Sequence, residues 1–291
     1  MAINNTKVVP WQEQFAPQAY ALLNKYLASS LLLLTNLTTY GPKLTTASYS
    51  GNFKCLLKND QVVAVFVLTR IGNLLVQTDR ADDYAKTIVA ECVQEPIQLQ
   101  GVVGAWEIVQ SIWAIANQQL PSLAKKNCQK ALLFRLSLDT ISATSTVSKY
   151  DIRSLTPTDY QQWALLNTAY LREQHLNLKE AETAQYNRFL TDVANLSWSG
   201  LFIDNQLITI ANFISHINNV GQLGGVYTSP NMRRHGFAKA LIQHKLSVGK
   251  KTQQMQQVIL FTKETNIPAI RLYQSLGFNQ IGNFGITVQV P

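Results

Sequence analysis

The chain contains 291 residues, of which 46% are apolar and 14% are charged. This composition excludes wholesale disorder and favours two domains of ordinary size. The formal net charge of +8 suits a polyanionic partner, such as nucleic acid, an anionic membrane or a phosphorylated cofactor.

The positive charge is concentrated in one segment of the second half. Residues 231–271 contain eight Lys or Arg residues and one acidic residue. Such a concentration favours a local anion site over a diffuse nucleic-acid surface. Because no interleaving of aromatic and basic residues accompanies the charge, we expect no nucleic-acid partner.

The cysteines and the apolar runs bear on compartment and membrane association. Cys55, Cys92 and Cys128 show neither a disulfide framework nor a metal-ligand spacing, which indicates a reducing compartment. The leucine run from Leu31 to Leu34 is too short to cross a bilayer, and the first residues lack an apolar signal core. We expect a soluble cytoplasmic protein with no membrane partner and no bound metal.

The sequence of the first half predicts alternating helices and strands. A helix over 12–34 follows from apolar residues at three- and four-residue steps, and a hairpin follows around Lys58-Asn59-Asp60. The predicted strands are 53–57, 62–69, 74–78, 99–103 and 131–138, and the later helices are 82–94 and 106–119.

A Ser- and Thr-rich segment at 139–149 separates the halves and predicts a domain boundary, with domains at 1–145 and 150–291. The second half then predicts a strand at 151–155, a helix capped by Thr158 or Asp159, and further elements in the same order as the first half. These are strands at 201–203, 206–215, 223–228, 258–262 and 283–290, with helices at 234–248 and 267–276.

The two halves also share local sequence, because residues 59–71 can be laid beside 204–217 as turn, amide and apolar strand. An internal duplication explains both the order and this similarity, although hairpins in unrelated α/β proteins look alike. The predicted fold class is α/β, with each half a mixed, mostly antiparallel sheet flanked by helices.

One segment, GGVYTSPNMRRHGFAKAL at 224–241, predicts an anion site. Its strand ends at Thr228, Pro230 blocks continuation, and a loop with two arginines leads into a helix. The first N–H groups of a helix lack intrahelical partners and lie at the positive end of its dipole. Gly236 would let a phosphate approach the backbone, and Ala238 keeps the same face open.

The pattern Arg233-x-x-Gly236-x-Ala238 resembles the Arg/Gln-x-x-Gly-x-Gly/Ala motif of the GNAT acetyltransferase superfamily. Residues 266–278, NIPAIRLYQSLGF, also match the family's second motif, Asn-x-x-Ala-x-x-Leu-Tyr-x-x-x-Gly-Phe, at every defined position. Two motifs in order, each between a strand and a helix, are far more specific than one. The alternative is a plain turn glycine, a solvated basic loop and core aromatic residues.

The resemblance implies acyl-CoA as co-substrate, held where two parallel strands, 223–228 and 257–262, splay apart. It assigns the pantetheine arm to the strand backbone and to the start of the second motif, and the pyrophosphate to the loop. The implied cofactor-binding residues are Val226, Tyr227, Thr228, Arg233, Arg234, His235, Gly236, Phe237, Ala238, Lys239, Asn266, Ala269 and Tyr273.

The resemblance also implies direct attack of an amine on the thioester. The Val226 amide would stabilise the oxyanion, and Tyr273 would protonate the departing thiolate, unless it merely packs. The strand VGQLGGVYT contains no carboxylate to serve as general base. His216 is the preferred candidate, and Glu173 and Glu264 are the alternatives.

The corresponding loop of the first half, Asp79 to Tyr84, contains no glycine and carries three acidic residues that would repel phosphate. We therefore expect the first half to keep the fold without cofactor binding, and to wall the substrate cleft or form an interface. This layout resembles tandem GNAT proteins with a degenerate first half, including glycine-N-acyltransferase-like proteins and uncharacterised predicted bacterial acetyltransferases.

The predicted function is transfer of an acetyl or other acyl group from acyl-CoA to a primary amine of a small molecule, by a monomer or homodimer. The first alternative is acylation of a protein or peptide amine by the same chemistry. The second is a non-catalytic acyl-CoA-binding regulator, which the missing strand carboxylate favours.

Overall fold

The computed structural model describes residues 6–120, 123, 126–140, 150–174 and 181–289. Contacts group the chain into two compact units. The first unit takes residues 1–133, 261–267 and 280–291, and the second takes 134–260 and 268–279. The units therefore differ from the two halves of the sequence in where the last strand belongs. Of the predicted boundary segment 139–149, residues 141–149 lie outside the described residues.

The described residues of the first half form six strands and four α-helices. In chain order these are β1 (Thr6–Pro10), α1 (Ala16–Lys25), α2 (Leu27–Tyr40), β2 (Gly51–Lys58), β3 (Gln61–Thr69), β4 (Asn73–Thr78), α3 (Ala81–Val93), β5 (Gly101–Ala105), α4 (Trp106–Gln119) and β6 (Lys126–Ser137).

The second half forms the same elements in the same order. They are β7 (Asp151–Ser154), α5 (Tyr160–Glu173), α6 (Glu182–Ala194), β8 (Trp198–Ile203), β9 (Gln206–Ile217), β10 (Val220–Thr228), α7 (Phe237–Thr252), β11 (Gln257–Lys263), α8 (Ile267–Ser275) and β12 (Asn279–Gln289). The repeated order agrees with the predicted duplication.

The sheet of the first unit has the order β1-β2-β3-β4-β5-β12. Its first four strands are antiparallel, β4 and β5 are parallel, and β12 pairs with β5 in antiparallel register from Phe284–Ala105 to Ile286–Val103. The core beneath it comes from inward residues of the strands together with α3 and α4, including Phe66, Leu74, Val89 and Ile112.

The sheet of the second unit repeats this pattern. Strands β7, β8, β9 and β10 are antiparallel neighbours, β10 and β11 are parallel, and β6 is the other neighbour of β11. Trp163 and Phe189, from α5 and α6, fill the core together with Trp198 and Ile210 from the sheet. The predicted mixed sheet flanked by helices is confirmed.

The hairpin turns have a local cause that the sequence displays. Asn59-Asp60, Asp204-Asn205 and Asn218-Asn219 all have positive φ, between 46° and 65°. Two consecutive left-handed residues make a type I′ turn, whose twist suits a two-residue hairpin, and Asn and Asp tolerate this conformation better than other side chains. The turns predicted at 58–60 and 204–205 are confirmed.

Two helical predictions differ from the structure. The helix predicted over 12–34 is a pair of helices, because the chain leaves the helical conformation at Tyr26, where φ is −115° and ψ is 36°. Helix α6 was not predicted, although its apolar residues Tyr186, Phe189, Leu190 and Val193 recur at three- and four-residue steps. Among the described residues, no helix combines the length and apolar character that a membrane span requires.

Candidate functional site

Strand β10 departs from regular pairing with β9 in its second half. Gly224 pairs with Asn212 and Tyr227 pairs with Ile210, so Gly225 and Val226 together stand opposite one residue, Ala211. This is a β-bulge, and Gly225 takes the positive φ of 57° within it. The bulge removes Val226 from the regular ladder at the position where the sequence predicts an oxyanion-binding amide.

Strand β10 also separates from β11. The two are paired in parallel only from Val220–Gln257 to Gln222–Ile259, whereas β10 continues to Thr228. Beyond Gln222 the β11-facing edge of β10 has no ladder partner among the described strands. The predicted splay of the two parallel strands is thus present, and it offers backbone groups to an extended ligand.

The loop after β10 has an unusual backbone. Pro230–Met232 forms one 3-10 turn, Arg234 has φ of 66° and Gly236, which precedes α7, has φ of 81°. A left-handed conformation is costly for an arginine, so this loop stores strain that functional sites often carry. Left-handed residues within such a loop are also a feature of known anion-binding nests.

The amides of this loop are free to bind an anion. From Arg234 to Lys239, no backbone N–H donates to another described residue, and α7 has no side-chain N-cap. A Cβ built on Gly236 would find no heavy atom within 4 Å. Free amides at a helix N-terminus and open space at the glycine fit a pyrophosphate group.

The two arginines of the loop differ in their contacts. Arg233 donates to both carboxylate oxygens of Glu173 at 2.7 and 2.9 Å, and its Nε donates to the Thr228 carbonyl at 3.1 Å. Arg234 is exposed and forms no ion pair with another described residue. The structure therefore leaves Arg234 as the side chain available to phosphate, while Arg233 holds the loop to α5.

The remaining loop side chains serve packing. His235 is exposed and stacks on Phe237, with ring centroids 5.5 Å apart, and Phe237 is buried against Tyr150 at 5.2 Å. Ala238 and Lys239 occupy the first turn of α7 and are half-buried. Their predicted contribution to cofactor binding rests on backbone amides, which this packing leaves in place.

Glu173 links α5 to the end of β10. Besides the ion pair with Arg233, its Oε1 accepts a hydrogen bond of 3.0 Å from the Tyr227 hydroxyl. Burial and this hydrogen bond raise the pKa of Tyr227. Of the three candidate bases, Glu173 is the one whose side chain has a described hydrogen bond to a residue of β10.

His216 lies at the wrong end of the ladder for its predicted role. It pairs with Gly221 at the start of β10, roughly 15 Å along the strand from Val226 at about 3.3 Å per residue. Its side chain is exposed. This position does not support His216 as the general base. Glu264, the third candidate, is exposed in the turn after β11.

Tyr273 is buried on α8 among aromatic neighbours. Its ring lies 6.5 Å from Phe134 and 5.9 Å from Phe278. Burial, and secondarily the nearby Tyr170, strongly raise the pKa of Tyr273, so its hydroxyl keeps its proton at neutral pH. Ala269 lies on the same helix, and Asn266 just precedes it, with its amide bonded to the Lys263 carbonyl at 2.9 Å.

Sequence reasoning missed Tyr170. It lies on α5 with its ring 6.2 Å from that of Tyr227, and burial raises its pKa. A signal was present, because Trp163, Asn167 and Tyr170 follow at helical spacing and so share one face of α5. Nothing in the sequence, however, indicated that this face covers β10.

The counterpart loop in the first unit is acidic, as predicted. Asp79, Asp82 and Asp83 line a cavity of about 550 Å³ with Glu107. The one arginine there, Arg80, is paired with Asp83 at 2.7 Å. No glycine precedes α3, and its acidic first turn opposes a phosphate.

Comparison with known proteins agrees with this geometry. Residues 160–278 match the family described as the acetyltransferase (GNAT) family. A GCN5-related N-acetyltransferase from Sphaerobacter thermophilus is 13% identical, with a TM-score of 0.64 over 97% of this chain and 94% of that one. A tandem GNAT protein from the clavulanic acid biosynthesis pathway is 14% identical, with a TM-score of 0.61 over 97% of each chain.

A GNAT acetyltransferase from Colwellia psychrerythraea is 12% identical, with a TM-score of 0.55 over 98% of this chain and all of that one. Identities this low show the fold alone. No curated protein matches the sequence. The narrower resemblance to glycine-N-acyltransferase-like proteins therefore stays a prediction.

Proposed function

We propose, from the membership of residues 160–278 in the GNAT acetyltransferase family, that this chain transfers an acetyl or other acyl group from acyl-CoA to a primary amine of a small molecule. At the level of the family, the fold supports acyl transfer from acyl-CoA. One observation carries the proposal for this chain: the free amides of Arg234–Lys239 directly follow a strand that has separated from its parallel neighbour.

The site offers contacts to two parts of acyl-CoA, the pyrophosphate and the pantetheine arm. The pyrophosphate would accept hydrogen bonds from the amides at the start of α7, with Arg234 adding a charge-assisted contact. The pantetheine arm, which carries amides of its own, would pair with the open edge of β10 near Val226–Thr228 as an added strand. This binding places the thioester beside the bulge at Gly225–Val226.

The reaction forms a C–N bond and breaks the C–S bond. The neutral amine attacks the thioester carbonyl carbon, and the Val226 amide stabilises the negative charge on the carbonyl oxygen. Collapse of the tetrahedral species expels CoA as a thiolate. The nitrogen loses one proton and the thiolate gains one, so the net products are an amide and free CoA thiol.

The raised pKa of Tyr273 limits what this residue does. A thiol has a pKa of about 8.5, so a phenol with a raised pKa does not give up its proton to the thiolate at equilibrium. Tyr273 instead donates a hydrogen bond that stabilises the charge developing on sulfur. The proton that the thiolate finally gains comes from the amine side or from solvent.

Glu173 is the best-placed base in the second unit, because it already accepts a hydrogen bond from Tyr227 beside the bulge. Both of its carboxylate oxygens already accept hydrogen bonds from Arg233, so a role as base requires this contact to open. This feature also favours the second candidate function, a non-catalytic acyl-CoA-binding regulator. Acylation of a peptide amine would use the same residues.

A panel of amines assayed with acetyl-CoA and longer acyl-CoAs tests the proposal. We expect release of free CoA thiol that depends on a small primary amine, together with acetyl-CoA binding by calorimetry. Binding without release for any amine or peptide would instead establish the regulator. Absence of both would refute the assignment of the site.

A further inference from the structure

We infer that Asn167 and Asn212 recognise the acceptor, and that the acceptor is an amine carrying an uncharged oxygen, a hydroxyl or an amide carbonyl, close to its nitrogen. The inference rests on the proposed function and specifies its substrate class. It concerns the face of the second sheet that α5 covers, opposite the face that α7 covers.

Each of two buried amide side chains on this face has one polar atom without a hydrogen-bond partner among the described residues. Asn167 is 5% exposed and Asn212 is 9% exposed. Neither Nδ2 of Asn167 nor Oδ1 of Asn212 has a hydrogen-bond partner among the described residues. Buried polar atoms are almost always bonded to protein or to water, so two such atoms in one small region indicate a site for a polar ligand.

Asn212 lies beside the bulge of β10. It pairs with Gly224 on one side and with Trp198 on the other. A Cβ built on Gly225 would lie 3.5 Å from the Cβ of Asn212 and 2.8 Å from the Trp198 ring. The side chain of Asn212 therefore shares a face with Trp198 and adjoins the residues that would hold the thioester.

Asn167 faces the same region from α5. It follows Trp163 by four residues and precedes Tyr170 by three, so the three side chains form one stripe. The Trp163 ring contacts Trp198, with centroids 5.4 Å apart, and the Tyr170 ring contacts Tyr227 at 6.2 Å. Asn167 is therefore held over the stretch of sheet between these two contacts, which contains the bulge.

The two free atoms have complementary chemistry. Oδ1 of Asn212 accepts a hydrogen bond from an amine N–H, which orients the nitrogen lone pair toward the thioester carbon. Nδ2 of Asn167 donates to an oxygen of the same molecule. Both side chains are neutral, so they favour an uncharged oxygen over a carboxylate, whose burial requires a cation. Neither asparagine takes the proton that the amine loses.

Amines matched in size test the inference directly. Ethanolamine is compared with propylamine, and glycinamide with butylamine, using kcat/KM with acetyl-CoA expressed per concentration of the neutral amine. We expect the wild-type protein to prefer the oxygen-bearing member of each pair at least tenfold, because the alkyl amine leaves Nδ2 of Asn167 unpaired. Asn167→Leu should reduce this preference to below threefold. Asn212→Leu should raise the amine KM at least tenfold for both members.

The acetyl-CoA dissociation constant of both variants should stay within twofold of wild type, which separates acceptor recognition from loss of fold. Asn36→Leu is the matched control, because Asn36 is equally buried in the first unit but donates to the Tyr49 carbonyl at 2.8 Å. Turnover without discrimination in the wild-type protein, or discrimination retained in Asn167→Leu, would overturn the inference. If the proposed function itself fails, no amine releases CoA, and the inference falls with it.

Discussion

Gly236 has a left-handed backbone conformation and lies in open space. It has φ of 81° and open space around the position of a Cβ, so a side chain meets no neighbour but strains the backbone. Gly236→Asp would place a carboxylate among the amides that we assign to pyrophosphate. We expect the acetyl-CoA dissociation constant to rise roughly 100-fold by calorimetry, because like charges repel at close range.

Gly41 supplies the control for this substitution. It has φ of 72°, also without a heavy atom within 4 Å of a built Cβ, but lies after α2 in the first unit. Gly41→Asp carries the same backbone strain without touching the loop. If the loop binds pyrophosphate, both variants should lose a comparable amount of thermal stability. Only Gly236→Asp should lose affinity for acetyl-CoA. Unchanged affinity in Gly236→Asp contradicts it.

Tyr273 tests whether a buried phenol acts in the reaction or only packs. Tyr273→Phe keeps the ring contacts with Phe134 and Phe278 and removes the hydroxyl. We expect kcat to fall roughly 10- to 100-fold while acetyl-CoA affinity changes little, because the hydrogen bond to sulfur forms as the thiolate leaves. Tyr84→Phe, at a buried tyrosine of the first unit, should leave kcat unchanged. An equal kcat in both variants assigns Tyr273 to packing.

At the scale of the elements, helix α7 carries a buried lysine that the reaction does not use. Lys245 is 1% exposed, donates to the Ser197 carbonyl at 2.5 Å and lies 4.4 Å from the centroid of the Phe213 ring. Burial lowers the pKa of Lys245 to about 7. An unfolded lysine titrates near 10.4, so between these values the unfolded chain binds a proton that the folded chain does not.

Stability should therefore rise with pH across this window, because the cost of burying the charged form disappears as the folded lysine loses its proton. Between pH 7 and 9 the contribution is about 2 kcal/mol. Urea unfolding at both pH values measures it. Lys245→Met should remove this rise, and Lys86→Met, at an exposed lysine of α3, should keep it. An identical pH dependence in all three proteins would show that Lys245 is not deprotonated.

The helices and strands also show which structural features could be predicted from the sequence. Strand ends, turns and the loop before α7 follow from Pro230, the Asn and Asp pairs and Gly236, because these residues act on their own backbone. The bulge at Gly225–Val226 and the distance of His216 from it depend on which residue of β9 lies opposite each residue of β10. That register is a non-local property, so neither was visible in the sequence.

At the scale of the whole molecule, the duplication is clear from the order of the elements. The order does not show which of the two units the last strand belongs to. Strand β12 follows the second motif directly, and a sequential reading assigns it to the second half. It pairs with β5, and residues 280–291 group with the first unit. Strand β6 is the last strand of the first half, β12 is the last strand of the second half, and each follows a helix. Local sequence therefore offers no basis for choosing which sheet each strand joins.

Gly285 tests this membership. A Cβ built there would lie 2.7 Å from the Cβ of Val109, a buried residue of α4 in the first unit. Gly285→Ala should therefore destabilise the protein by about 1–3 kcal/mol through overpacking, read as a lower urea midpoint. Gly282→Ala, three residues earlier on the same strand and with no heavy atom within 4 Å, should be nearly neutral.

The double variant Gly285→Ala/Val109→Gly identifies the partner of the strand. If the added methyl group meets Val109, the double variant is more stable than the sum of the single changes predicts, by about 0.5–3 kcal/mol. Additive effects would mean that β12 does not pack on α4. Hydrogen exchange should quicken in α4 and β5, and acetyl-CoA affinity should be unchanged, because the anion-binding loop belongs to the other unit. The last strand of the chain then stabilises the unit that does not carry the anion-binding loop.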